Sequence, residues 1–381
     1  MFGKGITLFR ILGFAVRIDL SWLILALLVT WSLAVGLFPN ARLGLAVSTY
    51  WWMGLAGAAG MFVSILFHEF CHSLVARRFG MPMKGITLFI FGGVAEMDDE
   101  PPGPRAEFYM AVAGPLSSIV LGLAFYVALL ALEGSKALAA VTGVLGYLAF
   151  INWVLAAFNL IPAFPLDGGR VLRAALWHWK KDLRSATRIA SRLGSAFGLV
   201  IIFLGVVNIL LGNVIGGLWQ FMIGMFLRSA AQMSYQQVLV RRSLQGAPVA
   251  RFMNPDPVTA PASINIRELV ENYLYRYHFK MLPVRDNGRL IGCISTQKIK
   301  SIPRGEWDRR TVAEAMDHCS AENSVRPDTD AMKAFSLMGR TGNNRLMVVE
   351  DDRLLGIITI RDIMGYLQTR MELEENGDRH R

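Results

Sequence analysis

Cysteine is scarce in this 381-residue chain, which contains only Cys71, Cys293 and Cys319. Three widely separated cysteines exclude the disulfide framework of a small secreted domain and favour a reducing compartment for any soluble part. Charged residues are also few, at 18% against 53% hydrophobic residues. This shortage of charge is uneven, because the chain is strongly apolar up to about residue 228 and has a soluble composition after about residue 241. The sequence therefore predicts a membrane domain followed by a soluble domain.

The N-terminus has no small-residue cleavage site close behind a short apolar core, so we expect an uncleaved anchor rather than a signal peptide. The net charge of +10 would suit a nucleic-acid partner. However, the basic residues cluster beside apolar segments, which is typical of a protein at a membrane surface. We therefore expect a lipid bilayer as the partner and no nucleic acid.

Six apolar segments are long enough, or nearly long enough, to cross a bilayer. They cover residues 20–38, 50–79, 106–132, 137–161, 193–211 and 214–227, of which the last is short. Strand-like segments lie at 6–10, 14–18 and 83–97, although an interfacial amphipathic lead-in explains the first two equally well. Residues 171–192 form a basic amphipathic stretch that favours an interface helix. The predicted fold class is a polytopic α-helical membrane protein with about six spans and short membrane-associated β-strands, plus a cytosolic α/β domain.

Basic residues indicate how the spans are oriented. Fourteen Lys and Arg residues lie in the segments on one side of the six spans, against only Arg42 and Lys136 on the other side. The asymmetry predicts a multi-pass protein of the cell (plasma or inner) membrane. Both termini and the soluble domain are then cytoplasmic.

The second apolar segment contains the sequence His68-Glu69-Phe70-Cys71-His72. In a helix, histidines four residues apart project from one face and can share one zinc ion, while Glu69 can accept a proton from a water that the metal activates. Each ionisable group costs roughly 2–3 kcal/mol in a spanning helix, so three within five positions indicate a function. A structural polar cluster is the alternative. Cys71 could approach the metal, although a packed thiol is the simpler interpretation.

Residues 159–170 offer a third ligand. Their two prolines and two glycines prevent a continuous helix, and irregular backbone near a membrane survives where it lines a polar cavity or is buried in protein. Asp167 is the candidate, because catalytic zinc typically keeps three protein ligands and one open position. A surface Asp-Gly-Gly turn is the alternative structural interpretation. An ion path or an inactive binding scaffold are the alternative functions.

The soluble part contains an internal repeat. Gly292 aligns with Gly356 and Ser295 with Thr359, both at an offset of 64 residues. Each unit is predicted to contain a helix, a strand, a hairpin-like turn, a second strand and a closing helix. The sequence therefore predicts a doubled α/β module in which neither half need be stable alone.

Residues 5–230 resemble the site-2 protease family of intramembrane zinc metalloproteases. The matching stretches are residues 67–80, 91–93, 114–116 and 159–170. Residues 252–368 resemble a pair of cystathionine-β-synthase-type (CBS) domains, and the combination resembles one subgroup of the family. The predicted domains are an intramembrane metalloprotease domain at 1–230, a linker at 231–250, a tandem CBS domain at 251–370 with repeats at about 251–304 and 314–368, and a polar tail at 371–381.

The resemblance implies that His68, His72 and Asp167 bind one Zn²⁺ ion per chain. It makes Glu69 the catalytic base and places Asn159 near the scissile bond, where it could steady the developing oxyanion. The implied substrate is a single-span transmembrane protein, such as a membrane-bound transcription regulator or its inhibitor, cut by regulated intramembrane proteolysis. The family often has Asn where this chain has a serine at 118, so that position receives no role. No PDZ-like insert is apparent between the spans.

The resemblance to CBS pairs implies binding of an adenine nucleotide, ATP or AMP, and a homodimer formed through these domains. Thr359 and Asp362 fit the ligand pattern, with Asp362 suited to ribose hydroxyls. Lys298 occupies the equivalent position of the first repeat and cannot accept a hydroxyl proton. Our hypothesis is that the CBS pair senses nucleotide and gates the protease. A helical substrate must unwind before attack, and we expect segment 83–97, alone or together with 6–18, to offer it a strand edge.

Overall fold

The computed structural model describes residues 6–11, 13–41, 43–81, 83–89, 92–97 and 100–378. Arg42, used above for orientation, the first residue of the 91–93 stretch and the last three residues of the predicted tail lie outside this set. The chain divides into two compact units, Met1–Val238 and Leu239–Arg381. Each unit is described by itself.

Within the described residues, six helices of the first unit are long and apolar enough to cross a membrane, which confirms the predicted number of spans. The helices of this unit in chain order are α1 (Leu20–Asn40), α2 (Val47–Arg78), α3 (Pro104–Leu132), α4 (Ala139–Asn159), α5 (Asp167–Lys180), α6 (Leu183–Leu210) and α7 (Val214–Leu244). The six candidate spans are all of these except α5.

Two predicted boundaries in this unit are wrong. The stretch 171–192 is not one helix, because Lys181 adopts a left-handed conformation with φ of 56° and ends α5. Asp182 then caps α6 by accepting hydrogen bonds from two backbone N–H groups of its first turn, so α6 begins at residue 183 instead of 193. Helix α7 continues to residue 244 instead of ending at 227, since residues 228–245 contain neither proline nor glycine. The predicted linker 231–250 is therefore helical over most of its length.

The strand-like segments form a four-stranded sheet with the order β1-β2-β3-β4, which decides against an amphipathic lead-in. The strands are β1 (Ile6–Ile11), β2 (Phe14–Ile18), β3 (Met83–Phe89) and β4 (Gly92–Met97). Strand β3 pairs in parallel with β2 and antiparallel with β4, so it is central. The edge expected within 83–97 is therefore β4 alone.

The second unit contains two small sheets with the orders β5-β6-β7-β8 and β11-β10-β9, each built around the hairpin of one repeat. The strands are β5 (Ala260–Pro261), β6 (Met281–Asp286), β7 (Arg289–Ser295), β8 (Asp317–His318), β9 (Ser324–Val325), β10 (Arg345–Glu350) and β11 (Arg353–Thr359). The helices are α8 (Ile266–Leu269), a π-helical turn (Val270–Leu274), α9 (Tyr275–Tyr277), α10 (Thr296–Lys300), α11 (Val312–Ala315), α12 (Ala331–Thr341) and α13 (Ile360–Asp378).

The two hairpins of this unit have the same register. Val284 pairs with Gly292 in β6–β7, and Val348 pairs with Gly356 in β10–β11. In both hairpins a register shift follows directly after the valine. The internal repeat seen in the sequence is therefore a structural repeat. Leu244, within the predicted linker, is fully buried in the core of the second repeat.

Candidate metal centre and active site

Three metal-binding side chains meet inside the first unit. His68 Nε2, His72 Nε2 and Asp167 Oδ2 lie 3.1 Å from one another in every pairing. Both histidines are buried, and Asp167 is half-buried. Among the residues that the structure describes, no other group of three or more His, Cys, Asp or Glu side chains could hold a metal ion.

The local sequence explains why these side chains converge. The four-residue spacing places both histidines on one face of α2. Asp167 is the first residue of α5, directly after an irregular segment. That segment packs closely against the first turn of α5. A Cβ added at Gly169 would lie only 2.5 Å from the carbonyl carbon of Ala163, so only glycine fits there. The Pro- and Gly-rich stretch therefore ends α4 and starts a new helix at the carboxylate.

The second nitrogen of each histidine is bound to α3. His72 Nδ1–H donates a hydrogen bond of 2.6 Å to the carbonyl oxygen of Met110. Since a carbonyl only accepts, His72 Nε2 carries the lone pair. His68 Nδ1 lies 2.9 Å from Ser118 Oγ, and donation to this hydroxyl leaves the lone pair on His68 Nε2 as well. Such partners orient metal-binding histidines in other proteins. Sequence reasoning gave Ser118 no role, and this contact supplies one.

Gly114 on α3 leaves the space in front of both histidines open. A Cβ there would lie 2.6 Å from His68 Nε2 and closer still to His72 Nε2. Two imidazole nitrogens with free lone pairs and one carboxylate oxygen form the donor set of a catalytic zinc site with an open position. The residues present therefore fit a zinc ion.

The other predicted site residues of the first unit lie outside the three-donor group. Glu69 is half-buried and packs against edge strand β4, since a Cβ at Gly93 would lie 2.6 Å from Glu69 Cγ. Asn159 is the last residue of α4, and its Nδ2 donates to the Leu155 carbonyl at 3.0 Å. No hydrogen bond joins Asn159 to the three donor atoms within the described residues. Cys71 is half-buried and lies outside the three-donor group.

In the second unit, Thr359 and Asp362 contact each other at the start of α13. Asp362 Oδ2 accepts hydrogen bonds from the Thr359 backbone N–H at 2.9 Å and from Thr359 Oγ1 at 2.7 Å. Thr359 Oγ1 in turn accepts a hydrogen bond from the Asp362 backbone N–H at 3.2 Å. The two residues therefore cap the helix reciprocally, and Oδ1 is the oxygen left to face a ligand. In the first repeat, Lys298 Nζ lies 2.9 Å from Asp317 Oδ1. The equivalent position there forms an ion pair and offers no hydroxyl acceptor.

The membrane helices and the two-histidine, one-carboxylate donor set are those of a membrane-embedded zinc metalloprotease. The sequence matches Peptidase family M50 at residues 56–143 and 131–204, and the CBS domain at residues 249–304 and 312–369. A relative in Mycobacterium tuberculosis, provisionally named zinc metalloprotease Rip3, is 33% identical over 94% of this chain and 92% of its own length. A second, from Synechocystis and provisionally named zinc metalloprotease sll0528, is 33% identical over 94% of each chain.

Among solved structures, the site-2 protease from Methanocaldococcus jannaschii shares 28% identity, with a TM-score of 0.44, over 61% of this chain and 95% of that chain. The chain belongs to peptidase family M50, the site-2 proteases, and carries two CBS domains. It is a multi-pass membrane protein and a zinc metalloprotease. Family membership decides against the ion path and the inactive scaffold.

Proposed function

We propose that this protease cuts single-span membrane proteins within the bilayer, with one zinc ion held by His68, His72 and Asp167. The observation that carries the ligand assignment is the mutual 3.1 Å spacing of their three donor atoms. Bound zinc supplies a Lewis acid and lowers the pKa of water towards about 7. The Nδ1 contacts to α3 keep both imidazoles in the tautomer and orientation that this role needs.

In this proposal Glu69 is the general base. It takes the proton from the attacking water and passes it to the leaving amine, which is the usual role of the acidic residue in this motif. Asn159 uses one amide hydrogen in its bond to Leu155. The other hydrogen is available to the oxyanion that develops on the scissile carbonyl.

We propose that edge strand β4 receives the unwound substrate. A helical substrate hides its carbonyl groups in internal hydrogen bonds, and pairing with a strand edge replaces those bonds. Because Glu69 packs on Gly93 of β4, a segment paired with this strand lies beside the base. Support for this role is the free edge of β4 in the described sheet.

We also propose that the CBS pair binds an adenine nucleotide through Thr359 and Asp362, forms the homodimer contact and gates the protease. The duplicated hairpins and the capping carboxylate of the second repeat support this role. The excess of basic residues on one side supports a cytoplasmic location for both termini and the CBS domains, in the cell membrane. We propose that the protease domain covers residues 1–230 and that the CBS domains cover residues 251–370.

The ligand assignment is tested by zinc analysis of the detergent-purified full chain, together with cleavage of a candidate single-span substrate. Wild type is expected to hold one zinc per chain, Asp167→Ala to lose most of it, and Glu69→Gln to keep zinc without cleaving. Asp256→Ala changes an exposed aspartate of the second unit and serves as the control. Normal zinc content in Asp167→Ala would refute the third ligand.

Nucleotide control is tested on the full chain by calorimetry with ATP and with AMP. Asp362→Ala is expected to weaken binding about tenfold or more, because a hydrogen bond to a charged group contributes about 1.5–3 kcal/mol. Asp328→Ala, at an exposed carboxylate, is the control. Undetectable binding to wild type, with cleavage unchanged across nucleotide concentrations, would refute the proposed gating.

A further inference from the structure

A buried ion pair between Glu107 and Arg173 joins α3 to α5. Glu107, in the first turn of α3, has no exposed surface, and Arg173 on α5 is 6% exposed. Arg173 donates from Nε to Glu107 Oε1, and a second guanidinium nitrogen contacts the same oxygen. The other carboxylate oxygen, Oε2, has no hydrogen-bond partner among the described residues. Arg173 therefore supplies the hydrogen bonds that stabilise the buried Glu107 carboxylate.

On the α3 side, this link lies next to the support of the metal centre. Glu107 is one helical turn before Met110, whose carbonyl accepts the hydrogen bond from His72 Nδ1–H. The following turn carries Gly114, which packs against both Nε2 atoms. A shift of the first turns of α3 would therefore move the group that orients His72.

On the α5 side, the same arginine lies close to the third donor. Arg173 follows Asp167 on one helix, about 9 Å further along its axis. Its guanidinium carbon lies 5.0 Å from the centroid of the Phe164 ring, in the segment just before Asp167. Phe164 is buried, and its backbone N–H donates to the Ala190 carbonyl at 3.4 Å. Arg173, on α5, therefore contacts both α3 and the segment that leads into Asp167.

We propose that Glu107 and Arg173 are positioning residues of the metal centre, which fix Asp167 on α5 against His72 as α3 orients it. Neither side chain contacts the three donor atoms, so their effect passes through the two helices. In some proteins buried polar groups select one packing arrangement, and the proposal gives this pair that role between α3 and α5. The proposal rests on the zinc ligands proposed above.

The test replaces the pair with apolar side chains in the full chain, as the double variant Glu107→Met/Arg173→Met. Replacing a buried ion pair in this way often leaves stability equal or higher, which separates positioning from folding. We expect an unchanged or higher unfolding temperature in detergent. The zinc Kd, measured by competition with a chromogenic chelator, is expected to rise about tenfold or more, with kcat reduced more than KM is changed.

The matched control is the double variant Asn208→Leu/Gln220→Leu. It removes a half-buried polar link between two other helices of the first unit, in which Asn208 Nδ2 donates to Gln220 Oε1 at 2.7 Å. These helices, α6 and α7, carry none of the three donors. The control is expected to keep the zinc Kd of wild type.

A folded Glu107→Met/Arg173→Met protein with zinc Kd and kcat within about twofold of wild type would overturn the proposal. If that variant cannot be purified in folded form, Arg173→Lys decides. Lysine keeps the charge but loses the planar fork and the ring contact, so weaker zinc binding at an unchanged unfolding temperature supports positioning. An unchanged zinc Kd in Arg173→Lys overturns it. A normal zinc content in Asp167→Ala would instead refute the proposed zinc ligands, which is a different outcome from the failure of the positioning role.

Discussion

Replacing Gly114 by alanine adds one methyl group at the point where α3 meets the metal centre. This methyl carbon would lie 2.6 Å from His68 Nε2 and closer to His72 Nε2. Ordinary contacts between such atoms are about 3.5 Å. The two imidazoles or the helix must therefore move by about 1 Å.

A movement of this size is large for a zinc site. Zinc–nitrogen bonds are about 2.0–2.1 Å long, so a shift of about 1 Å takes a nitrogen out of the coordination shell. Misplacement of catalytic groups by about 1 Å costs on the order of a hundredfold in rate. We expect a loss of about a hundredfold in zinc affinity and in kcat, equivalent to about 2.7 kcal/mol.

The measurement is chelator competition for zinc, followed by single-turnover cleavage at saturating zinc. Gly146→Ala is the matched control, because it also adds a methyl group in a membrane helix but its nearest neighbour would be Leu129 Cδ2 at 3.8 Å. Unfolding temperature in detergent shows whether each variant is folded. A folded Gly114→Ala protein with the zinc affinity of wild type would refute the derived geometry.

Three further predictions follow from other contacts. Ser118→Ala removes the hydroxyl beside His68 Nδ1, so zinc affinity should fall about tenfold. An unchanged affinity in chelator competition would show that Ser118 does not orient His68. Gly93→Ala pushes on Glu69 Cγ, so cleavage should fall while zinc content stays at wild-type level, and loss of both would show a wider distortion. Burial raises the pKa of the Cys293 thiol to about 11, so the reactive thiolate appears only as pH rises towards that value. Mass spectrometry should find Cys293 unmodified by iodoacetamide at pH 8 in folded protein and modified after denaturation, and rapid native modification would contradict this.

The parts of the site that depend on local spacing could be predicted from the sequence. His68 and His72 follow a charge-free apolar segment that predicts a helix. In a helix, residues four positions apart lie on the same face, so their common orientation needs no tertiary information. Asp167 could be found because prolines just before it and glycines just after it interrupt the apolar pattern. The structure brings the donor atoms of these three residues together.

The contacts between distant segments could not be predicted. Ser118 lies 50 residues from His68 in sequence, and a serine in an apolar helix gives no local sign of a buried partner. The break at Lys181 was missed because lysine seldom adopts a left-handed conformation. The contact between Asp362 and Thr359 could not be predicted either, because it depends on where α13 begins.

The metal centre has a consequence for how the protein is made. Its two histidines belong to one helix, while the third donor comes 95 residues after His72. At usual synthesis rates, about 5–20 s pass between the appearance of these residues. A nascent chain therefore inserts its first spans among other membrane proteins before its catalytic site is complete. Ribosome-stalled chains ending before Asp167 should cut no substrate, and stalled chains extended well beyond α7 should be the first to do so.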